Sequence, residues 1–136
     1  MLHITSNPRR LRWLYISNSI GAGVPGLIMV SFPQWAATNM FAGEHDPATF
    51  GMTGSIWLAI GIASVLGLRT PQLFRSLFLM QIIYKTIWIL TVALPLMLQG
   101  NVDVLPMTIF FVLVVMGFGY GLFGERGQPE KANIPA

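Results

Sequence analysis

Four long stretches of this chain are apolar and almost free of charge, separated by short polar segments that gather nearly every acid, base and proline. A bilayer core of roughly 30 Å accepts an apolar helix of about 20 residues. Each stretch therefore predicts a membrane-spanning helix, and the set predicts an all-α integral membrane protein, an antiparallel four-helix bundle. Three starts share one device, a polar residue followed by proline: Asn7-Pro8, Asp46-Pro47 and Thr70-Pro71. Proline gives up only an N–H that would be unpaired there, while Asn, Asp or Thr can accept from first-turn amides. With stops at Pro33, Gly100 and the cluster Gly119, Gly121 and Gly124, the helices are predicted over about 8–32, 47–68, 71–99 and 104–123. They form one domain, residues 1–124, and residues 125–136, with Pro129 and Pro135, read as a short flexible tail.

Composition strengthens this picture. The 136 residues are 54% hydrophobic and 10% charged, against about 25% charged in soluble proteins. The net charge of +3 and pI near 9.8 do not indicate nucleic acid, because the bases are divided among separate loops. With no cysteine, disulfides, thiolate catalysis and cysteine-held metal clusters are excluded.

The loop charges predict orientation. Seven of the eight bases, Arg9, Arg10, Arg12, Arg69, Arg75, Arg126 and Lys131, fall on one side, and the loop acids Glu44, Asp46 and Asp103 on the other. The basic side is expected to be cytoplasmic, with both termini there, in a bacterial inner membrane. Trp13, Tyr15 and Tyr120 near the inner boundary and Trp35 near the outer one suit interfacial belts. The arginines before Trp13 resemble the front of a secretory signal, but the apolar run to Phe32 exceeds a signal core and no small-residue cleavage site follows. The segment is therefore read as a mature helix.

On the second long helix, Gly51, Ser55, Ala59, Ala63 and Gly67 are small residues spaced by four. Such a ridge lets another backbone approach closely, which matters where packing holds helices together. It can serve packing within the chain, or contact with a second copy or a membrane-protein partner. Gly117 and Gly121 form a shorter version.

Lys85 is the one charge inside an apolar stretch, roughly 20 Å along its helix at the standard rise. A charge at the bilayer centre costs at least about 2.5–3.5 kcal/mol, so a buried role with a named partner is the default. No apolar stretch contains an acid. A neutral amine, hydrogen bonds to polar groups, or an anionic ligand remain. Gln81, Tyr84, Lys85 and Trp88 recur at three- and four-residue intervals and share one face. The first helix is expected to complete it with Asn18, Ser17, Ser19 and the Gly21 carbonyl, which Pro25 deprives of its helical donor. This set either satisfies the amine within the protein or lines a pocket for an amphiphile or quinone-like molecule.

Glu44-His45-Asp46 places three potential ligands in a row, but adjacent residues seldom converge on one ion and Asp46 is better used as a cap. No metal or other cofactor is expected, and His3 receives no role. There is no Ser-His-Asp set, phosphate loop or carboxylate pair, so no catalytic residue and no enzymatic activity are expected.

Size and helix count are shared with several groups of small bacterial membrane proteins. Small multidrug resistance transporters rely on a glutamate in their first helix, and the run from Arg12 to Phe32 holds no acid. The dual-topology fluoride channels need balanced loop charge, which the bias here contradicts. The segment Arg75-Ser76-Leu77-Phe78-Leu79-Met80-Gln81-Ile82-Ile83-Tyr84-Lys85-Thr86-Ile87-Trp88 is similar to DoxX-like and other small four-helix bacterial proteins in layout. That resemblance implies membrane location and a link to quinone or respiratory chemistry, and carries over no functional residue. Two functions follow from the residues themselves. The preferred one is a non-enzymatic subunit or assembly partner docking through the small-residue ridge, and the alternative is a binder or carrier of a small lipophilic or anionic molecule at Lys85.

Overall fold

The structure, a computed structural model, describes residues 7–41 and 45–124. All its regular elements are helical. Four helices are long and apolar enough to cross a membrane: α1 (Pro8–Ser31), α3 (Pro47–Gly67), α4 (Pro71–Leu98) and α5 (Leu105–Phe123). A short helix α2 (Pro33–Met40) follows α1. The sequence reading has no counterpart for it, because Pro33 was expected only to stop α1. Proline at a first helical position starts a new helix as readily as it ends the old one. The tail, His3 and Glu44 lie outside the described residues.

The helix ends follow from local chemistry. Asn7 accepts from the Arg9 and Arg10 amides at 3.1 and 3.4 Å. Asp46 accepts from the Thr49 amide at 2.8 Å and the Thr49 hydroxyl at 2.7 Å; that hydroxyl, then the amide, hold its carboxyl below the usual carboxylate range. Thr70 departs from the expected cap, for its hydroxyl donates back to the Leu66 carbonyl. At the end of α4, Gly100 adopts a left-handed φ of 86°. Its amide bonds Met97 and that of Asn101 bonds Leu96, each at 3.0 Å. This Schellman closure requires the left-handed residue that glycine supplies without a Cβ penalty.

Two of the long helices are broken in the same way. A π turn, Ser19–Gly23, ends two residues before Pro25 in α1, and another, Ile89–Ala93, ends two residues before Pro95 in α4. Proline removes a donor from the helical ladder and its ring crowds the carbonyl four residues back. One extra residue in the preceding turn relieves that crowding.

α1 packs along α3, and α4 along α5, with slighter contact between the two pairs. The α1–α3 seam is made by glycines that face one another. A Cβ on Gly26 would lie 2.7 Å from the Trp57 carbonyl carbon and 2.9 Å from the Gly54 oxygen, and one on Gly23 3.2 Å from the Gly61 Cα. The seam is therefore not the ridge expected from sequence. Ser55 and Ala59 are exposed, Gly51 and Ala63 half-buried, and only Gly67, against the Tyr15 ring, is buried. Each four-residue step overshoots a full turn by about 40°, so five such positions sweep about 160° and leave the contact face. The buried positions of α3 recur at threes and fours instead, at Phe50, Gly54, Trp57, Gly61, Ser64 and Gly67, with Ile60 beside Gly61.

Gly26→Ala should therefore separate α1 from α3 and lower stability by about 1–3 kcal/mol, the usual cost of overpacking. Gly51→Ala, whose Cβ would meet nothing within 4 Å, should leave it unchanged. Thermal unfolding in detergent compares the two, and equal behaviour would remove the glycine seam.

Candidate functional site

Where the helix pairs meet, four buried polar side chains form a continuous hydrogen-bonded chain. Lys85, Gln81, Asn18 and Ser64 are each at most 3% exposed. Lys85 Nζ donates to Gln81 Oε1 at 2.7 Å, Gln81 Nε2 to Asn18 Oδ1 at 2.6 Å, and Asn18 Nδ2 to Ser64 Oγ at 2.7 Å. Ser64 then donates to the Ile60 carbonyl at 2.8 Å. Lys85 Nζ also bonds the Tyr84 hydroxyl. It lies 4.2 Å from the Tyr84 ring centroid and 4.8 Å from that of Phe111, positions from which aromatic faces attract a cation.

The Ser64 end of this chain sets its direction. The Ser64 hydroxyl spends its hydrogen on Ile60, so it can only accept from Asn18, which must present its amide nitrogen. Asn18 therefore turns its oxygen to Gln81 Nε2, which leaves Gln81 to present its oxygen to the Lys85 nitrogen. Every acceptor oxygen in the chain is thereby engaged. Asn18 and Gln81 each keep one free amide hydrogen, and Lys85 as an ammonium keeps a third donor. The cluster therefore keeps unused amide and amine hydrogens.

These donors border an open-sided cavity of about 460 Å³ lined by residues of all four long helices, with Asn18, Gln81 and Lys85 in its lining beside Trp57 and the exposed Phe110 and Gly117. A Cβ on Gly117 would meet nothing within 4 Å, so that glycine opens into free space. No carboxylate occurs anywhere in the four spans. A hydrogen-bond acceptor, or an anion that also balances the ammonium, is the chemical complement of this wall.

The stripe expected on α4 divides. Gln81 and Lys85 face the cavity just described, while Tyr84 and Trp88 line a second one of about 410 Å³, with Tyr84 reaching back to Lys85 through its hydroxyl. Asn18 belongs to the cluster through Gln81 and not by a bond to the amine. Neither is the Gly21 carbonyl a partner of Lys85, correcting the expectation from Pro25. A helical side chain leans toward the N-terminus of its own helix, which brings the amine onto Gln81 one turn back. Ser17 and Ser19 donate to the Trp13 and Tyr15 carbonyls of their own helix. Ser64, which ends the chain, is a residue the sequence reading passed over, although it is hydroxyl-bearing and placed three and seven residues from Gly61 and Trp57 on the buried face. Among the described residues no cluster of three metal-ligating side chains occurs.

Asn18→Leu should strand Gln81 Nε2 and remove the donor to Ser64, costing about 1–3 kcal/mol per buried group left unpaired. Ser64→Ala, which costs a single partner, should be milder. Unfolding of both variants in detergent measures the difference, and an unaffected Asn18→Leu would mean that the chain does not join the helices. No protein-family model matches this chain, and no curated protein or solved structure is significantly similar to it.

Proposed function

We propose that this is a multi-pass protein of a bacterial inner membrane, an antiparallel four-helix bundle with both termini cytoplasmic, that binds a small amphiphile at Lys85. The ligand's head group accepts hydrogen bonds, as a carboxylate, sulfonate, phosphate or quinone carbonyl does. Its apolar part occupies the remainder of the cavity. The observation that carries this reading is the set of unused donor hydrogens on Lys85, Gln81 and Asn18 in the lining of a largely apolar cavity. A lysine kept solely to stabilise the fold would be replaced at lower cost by an apolar residue of the same length.

Membrane insertion is supported by the rows of large apolar residues directed outward, among them Leu27 at 52% and Ile62 at 55% exposure. It is also supported by the distribution of basic residues between loops. A second reading, a non-enzymatic subunit docking another membrane helix, is favoured by the outward position of Ser55 and Ala59. The two readings differ in what is bound, and Lys85 takes part only in the first.

Equilibrium binding of decanesulfonate to the protein in nanodiscs tests the first reading, with decyltrimethylammonium as a control that offers no acceptor. The wild type should bind the sulfonate and not the ammonium. Lys85→Met should weaken binding about ten- to hundredfold, since a hydrogen bond to a charged group contributes about 1.5–3 kcal/mol. Gly117→Leu should do the same by filling the cavity while leaving the fold intact. Equal binding of both probes, or of the sulfonate by wild type and Lys85→Met, would contradict the proposal.

A further inference from the structure

The second cavity is not a separate pocket on another part of the surface. Each long helix passes the first cavity over one portion of its length and the second over the adjoining portion. In α1 these are Asn18 and then Met29; in α3, running the other way along the chain, Thr53 belongs to the second cavity and Trp57 to both. In α5, Met107 and Phe111 line the second cavity and Phe110 and Gly117 the first. The two spaces are therefore stacked along the helices, and what separates them is an aromatic layer of Trp57, Tyr84 and Phe111. Trp57 and Phe111 have ring centroids 6.0 Å apart, and Tyr84 and Phe111 6.2 Å apart.

Lys85 Nζ sits in that layer. It bonds Gln81, which lines the first cavity, and Tyr84, which lines the second, and it rests against the Phe111 ring. An acceptor head group held by Lys85 would thus lie one aromatic side chain away from the second cavity.

The helices that carry these polar groups are also the two interrupted ones. Asn18 bonds Gln81, which sets α1 and α4 in register. The Ser19–Gly23 turn of α1 begins just beyond Asn18 and borders the first cavity through Gly21, while the Ile89–Ala93 turn of α4 begins just after Trp88, which lines the second. π turns and proline breaks are the places where long helices bend. In many membrane carriers the substrate site lies where helices are interrupted.

We propose that the two cavities are halves of one path, that the layer of Trp57, Tyr84 and Phe111 closes it, and that the protein carries an anionic amphiphile across by bending α1 and α4 at their π turns. This rests on the binding reading above and extends it from binding to transport. Lys85 provides the site, with Gln81 in the lining of the first cavity and Tyr84 in that of the second, whose lining also includes His45 and the Asp46 carboxylate. No covalent step is involved.

The experiment uses the full chain reconstituted in phosphatidylcholine vesicles loaded with radiolabelled hexanesulfonate, which stays ionised and so does not cross as a neutral acid. Efflux should exceed that of protein-free vesicles and should fall to background in Lys85→Met. Thr53→Trp, placed to fill the second cavity, should abolish efflux while the affinity for decanesulfonate in nanodiscs remains within about threefold, because the first cavity is untouched. Met107→Trp, on the opposite wall, serves as a second variant should Thr53→Trp fail to fold. Wild-type protein that binds decanesulfonate yet gives no efflux above background would overturn transport and leave the binding reading standing. Absence of binding would overturn both. Efflux that survives both tryptophan variants would overturn the path through the second cavity.

Discussion

A polar side chain among apolar helices must find its hydrogen-bond partners within the protein, and here that constraint converges on one chain of bonds. From Lys85 through Gln81 and Asn18 to Ser64 and the Ile60 carbonyl, it draws on α4, α1 and α3 in turn. Removing Asn18 or Gln81 takes a partner from the neighbour on either side. The amide and amine hydrogens left over give the cavity lining its donors. The interaction that joins three helices thus also determines the chemistry of what the cavity can take.

Close approach of α1 and α3 is what makes the chain possible. Gly23 and Gly26 on one helix meet Gly54 and Gly61 on the other with almost no side chain between them, and the short reach from Asn18 to Ser64 follows from that contact. α4 and α5 form the other pair through larger side chains, with Phe78 against Phe118 at 5.1 Å and Trp88 against Phe111 at 5.1 Å. A glycine seam on one side and an aromatic one on the other leave unequal spacing where the pairs face each other. The two cavities occupy that space.

The long helices are legible in sequence because apolar length, proline starts and glycine stops are local signals. Predicted and observed bounds coincide at four of the eight ends and differ by one residue at the other four, within ordinary assignment differences. Gln81, Lys85 and Asn18 are legible as a polar set because intramembrane polarity is rare enough to stand out. Their bonding order is not, since it depends on how α1 meets α4. The ridge of small residues shows the limit most clearly. Spacing by four describes a line on the sequence but a spiral on a straight helix, and Gly54 and Gly61, seven apart, carry the contact instead. The π turns are likewise invisible to periodicity, although each is tied to a proline that the sequence displays.

The account depends most on the bond between Lys85 and Gln81. Solid-state NMR of the protein in lipid bilayers, with the lysine Nζ and glutamine Cδ isotopically labelled, measures that contact directly. A dipolar coupling at hydrogen-bond range between Lys85 Nζ and Gln81 Cδ, lost in Gln81→Leu, is the predicted result. A Lys85 amine coupled only to lipid head groups, with no contact to Gln81, would contradict it.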